Sequence, residues 1–297
     1  MPTANRGRDT GAPRARRILG GAVARTWEGR GVTRRIDDAI GTGRAELAQT
    51  EPTSAATSWH TAVERAVQQM RENLADPQYL ADHARAGLFS PFHFHRVFRN
   101  VTAATPGRFL AALRIAEAQR LLIRSPLRVT DIAARVGYSS LSTFTTQFAR
   151  LVGLSPRQFR AMAIEFGDRP LAALAARAPA APSGHDAVPV VVDGADDGIL
   201  FVGLFHHGIP QGAPVSCAVR PTPGPVRLRR PRDGEYHVLA VCFDPDVRIA
   251  ESLDHRHDCR VVAVGSMTVP GGRACHLRLR RPRPTDPPVV LALPLLG

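Results

Sequence analysis

The residues best suited to chemistry lie in the stretch FSPFHFHRVFRN, residues 89–100. On a helical period, Phe94, Val97, Phe98 and Val101 share one face and leave Phe92, His95, Arg96 and Arg99 on the other. Arg96 can present two parallel N–H donors to the O6 and N7 acceptors of a guanine edge. His95 can donate or accept, and Phe92 offers an apolar surface to a thymine methyl. A second stretch, LSTFTTQFARLV, turns Phe144, Phe148, Leu151 and Val152 inward and Ser142, Thr145 and Thr146 outward, with Leu141 near its start. Small hydroxyls without Arg or Gln are weak base readers, so this second face favours phosphate and methyl contacts. Arg150, Arg157 and Arg160 are candidates for phosphate, with plain solvated charge equally compatible for each.

One other cluster could carry chemistry. In Asp254-His255-Arg256-His257-Asp258-Cys259, an extended backbone would turn His255, His257 and Cys259 to one side and begin a metal site. The fourth ligand would be Cys217, Cys242, Cys275 or water. The alternative is a polar loop beside buried, inert cysteines, and that reading predicts no metal and no cofactor. No Ser-His-Asp arrangement, phosphate loop or carboxylate pair stands out, so the chain is not expected to be an enzyme.

The elements that must position these residues follow from periodicity. Apolar residues at helical spacing predict helices over 59–75, 79–87, 90–102, 107–124, 129–136, 140–152 and 156–163. Residues 84–98 (ARAGLFSPFHFHRVF) and 134–148 (ARVGYSSLSTFTTQF) form an internal repeat. Six of its 15 positions are identical: Ala84/Ala134, Arg85/Arg135, Gly87/Gly137, Ser90/Ser140, Phe94/Phe144 and Phe98/Phe148. A small Ala lets helices approach, a Gly suits the left-handed residue after a helix, Ser caps the next helix, and two Phe four apart make one core face. Helix, tight turn and second helix is the helix-turn-helix pattern. Between the units, 107–124 has no breaker after Gly107. It makes a rod about 27 Å long at about 1.5 Å per residue, against about 34 Å for a turn of B-DNA.

Charge agrees with a polyanionic partner. The net charge is +13, all 39 basic residues are Arg, and residues 58–163 hold 14 Arg against 6 acids, or +8. The absence of Lys, with abundant Ala, Gly and Pro, fits a GC-rich genome rather than a binding adaptation. No apolar run approaches the ~20 residues that span a membrane, and no apolar segment follows the N-terminal Arg residues as in a secretory signal. A cytoplasmic, nucleoid-associated protein is expected.

Composition divides the chain into a disordered basic segment over 1–57, a helical domain over 58–163, an Ala/Pro-rich linker over 164–187 and a β-rich domain over 188–297. In the last domain VPVVV, ILFVGLF, SCAV, VRLRR, EYHVLAVCF, RVVAVGS, ACHLRLR and VVLALPLL read as about eight short strands. The expected fold class is therefore multidomain: an all-α double helix-turn-helix domain followed by a small all-β sandwich-like domain, the linker uncoupling the two.

Residues 59–163 resemble the DNA-binding domain of the AraC/XylS family of bacterial transcription regulators. The resemblance rests on FSPFHFHRVFRNVTAATPGRFL, on RIAEAQRLLI and on VTDIAARVGYSSLSTFTTQFARLVGLSPRQFR. His83 departs from it, standing where the family usually has an apolar residue. The resemblance implies a transcription factor that sets two recognition helices into successive major grooves of a double-stranded operator. It places base contacts at the positions of Phe92, His95 and Arg96, and around Leu141, Ser142, Thr145 and Thr146. RNA polymerase and an unknown small-molecule effector are the further partners expected, with no membrane. The C-terminal part weakly resembles carboxypeptidase-regulatory-like or transthyretin-like sandwiches, with a sensing or assembly role implied.

Overall fold

The computed structural model describes residues 54–86, 89–176, 182, 186–254, 260–270 and 274–290. The expected disordered segment therefore lies outside the described residues up to 53, and the first helix begins at Ser54 rather than after it. Helices α1 (Ser54–Glu72), α2 (Leu80–Ala86), α3 (Pro91–Thr102), α4 (Pro106–Arg124), α5 (Val129–Arg135), α6 (Leu141–Val152) and α7 (Pro156–Phe166) make the first half. Each boundary has a local cause. Ser90, Thr105, Ser140 and Ser155 accept the N–H of the residue three places on, which satisfies a donor the helix cannot. Pro91, Pro106 and Pro156 occupy first-turn positions where the missing N–H costs nothing.

The repeat holds in three dimensions and runs further than its 15 matched positions. Rings of Phe94, Phe98 and Phe109 follow one another at 5.7 and 5.5 Å; fifty residues later Phe144, Phe148 and Phe159 do so at 5.7 and 5.7 Å. Even the turns correspond: Ala103 ends α3 at φ 56° and Gly153 ends α6 at φ 88°. All six Phe rings are fully buried. One unit is α2–α3, the other α5–α6, and α4 joins them.

The two units are also clasped by one arginine. Arg114 of α4 donates through Nε to Leu74 O and through Nη2 to Asp76 O, each at 2.9 Å, and lies 5.9 Å from the Tyr138 ring centre. Gly137, at φ 84°, lies so close that a Cβ there would meet Leu74 O at 2.7 Å. That turn needs glycine for conformation and for space alike.

Among the described residues the second half contains seven strands: β1 (Ala187–Asp193), β2 (Ile199–Phe205), β3 (Ser216–Arg220), β4 (Val226–Arg229), β5 (Gly234–Phe243), β6 (Arg260–Val269) and β7 (Cys275–Arg278). They form a three-stranded sheet, β4-β1-β7, and a four-stranded one, β3-β2-β5-β6. All pairs are antiparallel except β1 with β7. Alternate residues of the larger sheet point opposite ways. Leu200, Val202, Leu204, Val238 and Ala240 pack with Val190, Val192 and Leu228 of the smaller sheet. Ile199, Phe201, Leu239, Val241, Phe243 and Val262 instead join the core of the helices. Strand β2 is thus buried along its whole length, which is why ILFVGLF shows no alternation.

That shared core differs from the expectation of an uncoupled tail. Helix α7 runs to Phe166 and Leu171 is fully buried. Leu171 N–H donates to Val247 O at 2.9 Å, and the N–H groups of Ile249 and Ala250 donate to Arg169 O and Gly167 O at 3.0 Å. The first part of the expected linker, through the short helix α8 (Ala172–Ala175), is therefore docked structure. Of the eighth expected strand, residues 291–296 lie outside the described residues; Val289 and Val290 are buried coil, and Gln119 of α4 donates to Val290 O at 2.9 Å. Pro287 and Pro288, which precede them, lack the N–H groups a strand would contribute. Among the described residues no helix is long and apolar enough to cross a membrane.

Candidate nucleic-acid interface

Helices α3 and α6 each bury one face and leave the other to solvent. On α3, Phe94, Val97 and Phe98 are buried, while Phe92 is 91% exposed and Arg96 and Arg99 are exposed beside a half-buried His95. Phe92 is the most exposed large apolar side chain among the described residues. Arg96 Nη2 lies 3.4 Å from His93 Nδ1. Arg96, Arg99, Arg108, Arg150 and Arg157 form no ion pair among the described residues. By contrast Arg85, Arg120, Arg124 and Arg128 each hold a carboxylate within 3.3 Å.

On α6, Leu141 is 44% exposed, and Ser142, Thr146 and Arg150 are exposed. Two of the hydroxyls already have local partners. Ser142 Oγ lies 2.8 Å from Ser140 Oγ, and Thr145 donates its hydroxyl to Leu141 O at 2.8 Å. Thr145 keeps only acceptor capacity and its methyl group, which fits a face poor in base-reading donors. Arg128, Thr130, Leu141, Thr145, Ser155 and Arg157 line a groove at the start of α6 and α7. Helix N-termini favour anions.

Arg160 lines that groove too, but its donors are engaged within the structure. Its Nη2 donates to Leu127 O at 2.6 Å and its Nε to Leu122 O at 3.2 Å. It caps carbonyls at the C-terminus of α4, where a cation is stabilised by the helix dipole. Sequence reasoning also missed Arg114; its only signal was a lone Arg in the apolar stretch FLAALRIA.

The tail borders the far end of the surface. The loop after β2 reaches the C-termini of both exposed helices: Gly208 packs on Ala103, and Gly212 N–H donates to Leu151 O at 2.6 Å. Burial lowers the pKa of His207 and His237, and the charges of Arg108 and Arg99 respectively lower them further. Phe92, Leu141 and Ser142, near the N-termini of α3 and α6, are exposed.

Cys217, Cys242 and Cys275 are free thiols. Burial pushes each pKa up, Cys242 to about 11. His255, His257 and Cys259 lie outside the described residues. Asp254 is buried and holds Arg124 at 3.0 Å. Among the described residues no three His, Cys, Asp or Glu groups come together as a metal site.

Comparison with known proteins bears on this surface. Residues 83–162 match the family model described as a helix-turn-helix domain. The HTH-type transcriptional regulator Rv1931c of Mycobacterium tuberculosis is 35% identical over 123 residues, 37% of this chain and 48% of that protein. The HTH-type transcriptional activator RhaS of Escherichia coli is 44% identical over 66 residues, 22% of this chain and 24% of that protein. The chain thus spans about half the length of the first relative and a quarter of the second. Among solved structures, the DNA-binding domain of the global transcriptional factor AdpA, in complex with a target DNA, is 30% identical over 35% of this chain and 94% of that one, with a TM-score of 0.34.

Proposed function

We propose that this chain, whose residues 83–162 match a helix-turn-helix domain model, is a sequence-specific DNA-binding transcription regulator of the AraC type that reads two successive major grooves. The observation that carries the reading is the pair of repeated units. Each exposes one face of its second helix, and α4, 19 residues or about 28 Å long, joins them. That span is near one turn of B-DNA, about 34 Å. Helix α3 is the stronger reader. Arg96 pairs with guanine, His95 donates or accepts, Phe92 covers a thymine methyl, and Arg99 holds the backbone. Helix α6 sets register: Leu141 and Thr145 press on methyl groups, Ser142 and Thr146 meet phosphate or base edges, and Arg150 and Arg157 hold phosphates. The named relatives are transcription regulators by their names, and the exposed uncompensated Arg residues fit a polyanion. The partner is a double-stranded operator, with RNA polymerase as the assembly it influences. The tail, two sheets over a common core as in a sandwich, acts as a sensor or assembly unit. Selection of bound sites from random DNA by the purified chain tests this. A compact motif with two parts should emerge. Affinity equal for selected and random DNA would make the chain a non-specific architectural binder.

A further inference from the structure

The tail carries histidines to the edge of the reader. The β2–β5 register sets Phe205 opposite His237, so His206 and His207 leave the sheet beside that residue. The loop that follows is fixed to both recognition helices: Gly208 packs on Ala103 after α3, and Gly212 N–H donates to Leu151 O of α6 at 2.6 Å. His206 and His207 are exposed, His237 is half-buried, and the His206 ring lies 5.3 Å from that of Tyr236. Two arginines of the reader act on this cluster. Arg99, in the last turn of α3, bears on His237, and Arg108, in the first turn of α4, bears on His207. Both arginines are exposed, and neither forms an ion pair among the described residues. Helical spacing puts Arg99 on the outward face of α3 with Phe92 and Arg96. A row of N–H donors therefore continues from that face onto the tail.

We propose that this row is a third contact with DNA, in which His207 and His237 of the tail, with Arg99 and Arg108 of the reader, hold backbone phosphates beside the groove that α3 enters. Imidazolium and guanidinium N–H groups donate to phosphate oxygens, and such contacts fix position without reading bases. The inference rests on the reading of the chain as a DNA binder. It makes that binding depend on pH. Burial lowers the pKa of His207, and Arg108, His206 and His237 lower it further. Burial also lowers that of His237, as does Arg99, with Glu235 of the same strand opposing. Both rings are thus largely neutral in the free chain at pH 7.5. A phosphate placed among them favours the charged form and raises both values, so binding takes up protons. Affinity should rise as pH falls, and level off once the free rings are themselves protonated.

Anisotropy titrations at pH 7.5 and 6.0, over several salt concentrations, test this with a selected and a random duplex. The full chain is compared with its variant carrying His207→Gln and His237→Gln. Lowering the pH should tighten binding of the wild type about threefold or more beyond any change in the variant. The gain should be the same on both duplexes, because a phosphate carries no sequence. At pH 6.0 the dependence of log affinity on log salt should be steeper in the wild type by about one to two, and at pH 7.5 the slopes should converge. Equal melting temperatures verify the fold, and the titration of His83 is common to both chains. Should His237→Gln lower the melting temperature, His207→Gln alone, at an exposed position, carries the comparison with a slope difference of about one. A pH response that survives the substitutions, or one confined to the selected duplex, would overturn the contact and leave the reader standing. Absence of binding to either duplex would overturn the DNA-binding reading and this contact with it.

Discussion

At the scale of single residues, Arg96 and Arg150 are both exposed cations with different expected work. Arg96→Ala should cost about 1–3 kcal/mol on the preferred site and relax preference at one or two base pairs. Arg150→Ala should weaken all sequences alike and lower the dependence of log affinity on log salt by about one. Competition binding at several salt concentrations separates them; a uniform loss for Arg96→Ala would remove it from base reading. His83 tests the interior. It is 4% exposed, its Nδ1 lies 3.1 Å from Gln69 Oε1, and its Nε2 has no partner among the described residues. Burial lowers its pKa below the usual 6.5 against a smaller opposing pull from Asp82. The folded state thus takes up the proton less readily than the unfolded one, so its share of stability is present above pH 6.5 and is lost as pH falls below it. His207 and His237 act in the same direction. His83→Leu should therefore reduce, not erase, the fall in melting temperature between pH 7.5 and 5.5; an unchanged slope would contradict this. The outward-facing residues of α3 and α6 were legible because helical spacing sorts faces. Whether an arginine is spent internally was not: Arg114 and Arg160 find carbonyl partners 33 to 40 residues away in sequence.

At the scale of elements, the caps and turns set the angle at which each second helix is presented. Gly137→Ala should cost about 2–4 kcal/mol, because it adds left-handed strain and brings a methyl group against the carbonyls of Leu74 and Ala75. Ala103→Gly goes the other way. Ala103 already holds φ 56°, with the Thr102 hydroxyl donating to Phe98 O and accepting from Ala104 N–H. Relief of that strain should raise stability by up to about 1 kcal/mol, with greater freedom of the unfolded chain offsetting part of it. Thermal melts of both variants decide; a neutral Gly137→Ala would mean that the turn is not packed as described. Helix positions were readable to within a few residues, since Ser and Pro at the starts act locally. The correspondence of Phe109 with Phe159 and of Ala103 with Gly153 was also present in the chain. The matched window, 84–98 against 134–148, ended before both pairs, and at the second only the structural roles match.

At the scale of the whole molecule, reader and tail share a core, and the sequence concealed this for a physical reason. A strand covered on both faces reads as a continuous apolar run, and nothing in such a run says what covers each side. The Ala/Pro composition of 165–187 likewise suggested a free tether, while Leu171 and the backbone of 167–171 hold the tail in place. Calorimetric unfolding of residues 54–297 should thus give one cooperative transition; two separated transitions would restore the uncoupled tail. Gly208→Ala tests the junction, since its methyl group would meet Ala103 O and Cβ. A loss of about 1–3 kcal/mol is expected, and an unchanged melt would show that this contact yields. The central claim is that two helices read two successive grooves from one side of the duplex. Hydroxyl-radical footprinting of the full chain on a selected site tests it most directly. The account predicts two protected segments centred about 10–10.5 base pairs apart on the same face of the DNA. Protection of a single segment, or of all positions evenly, would contradict it.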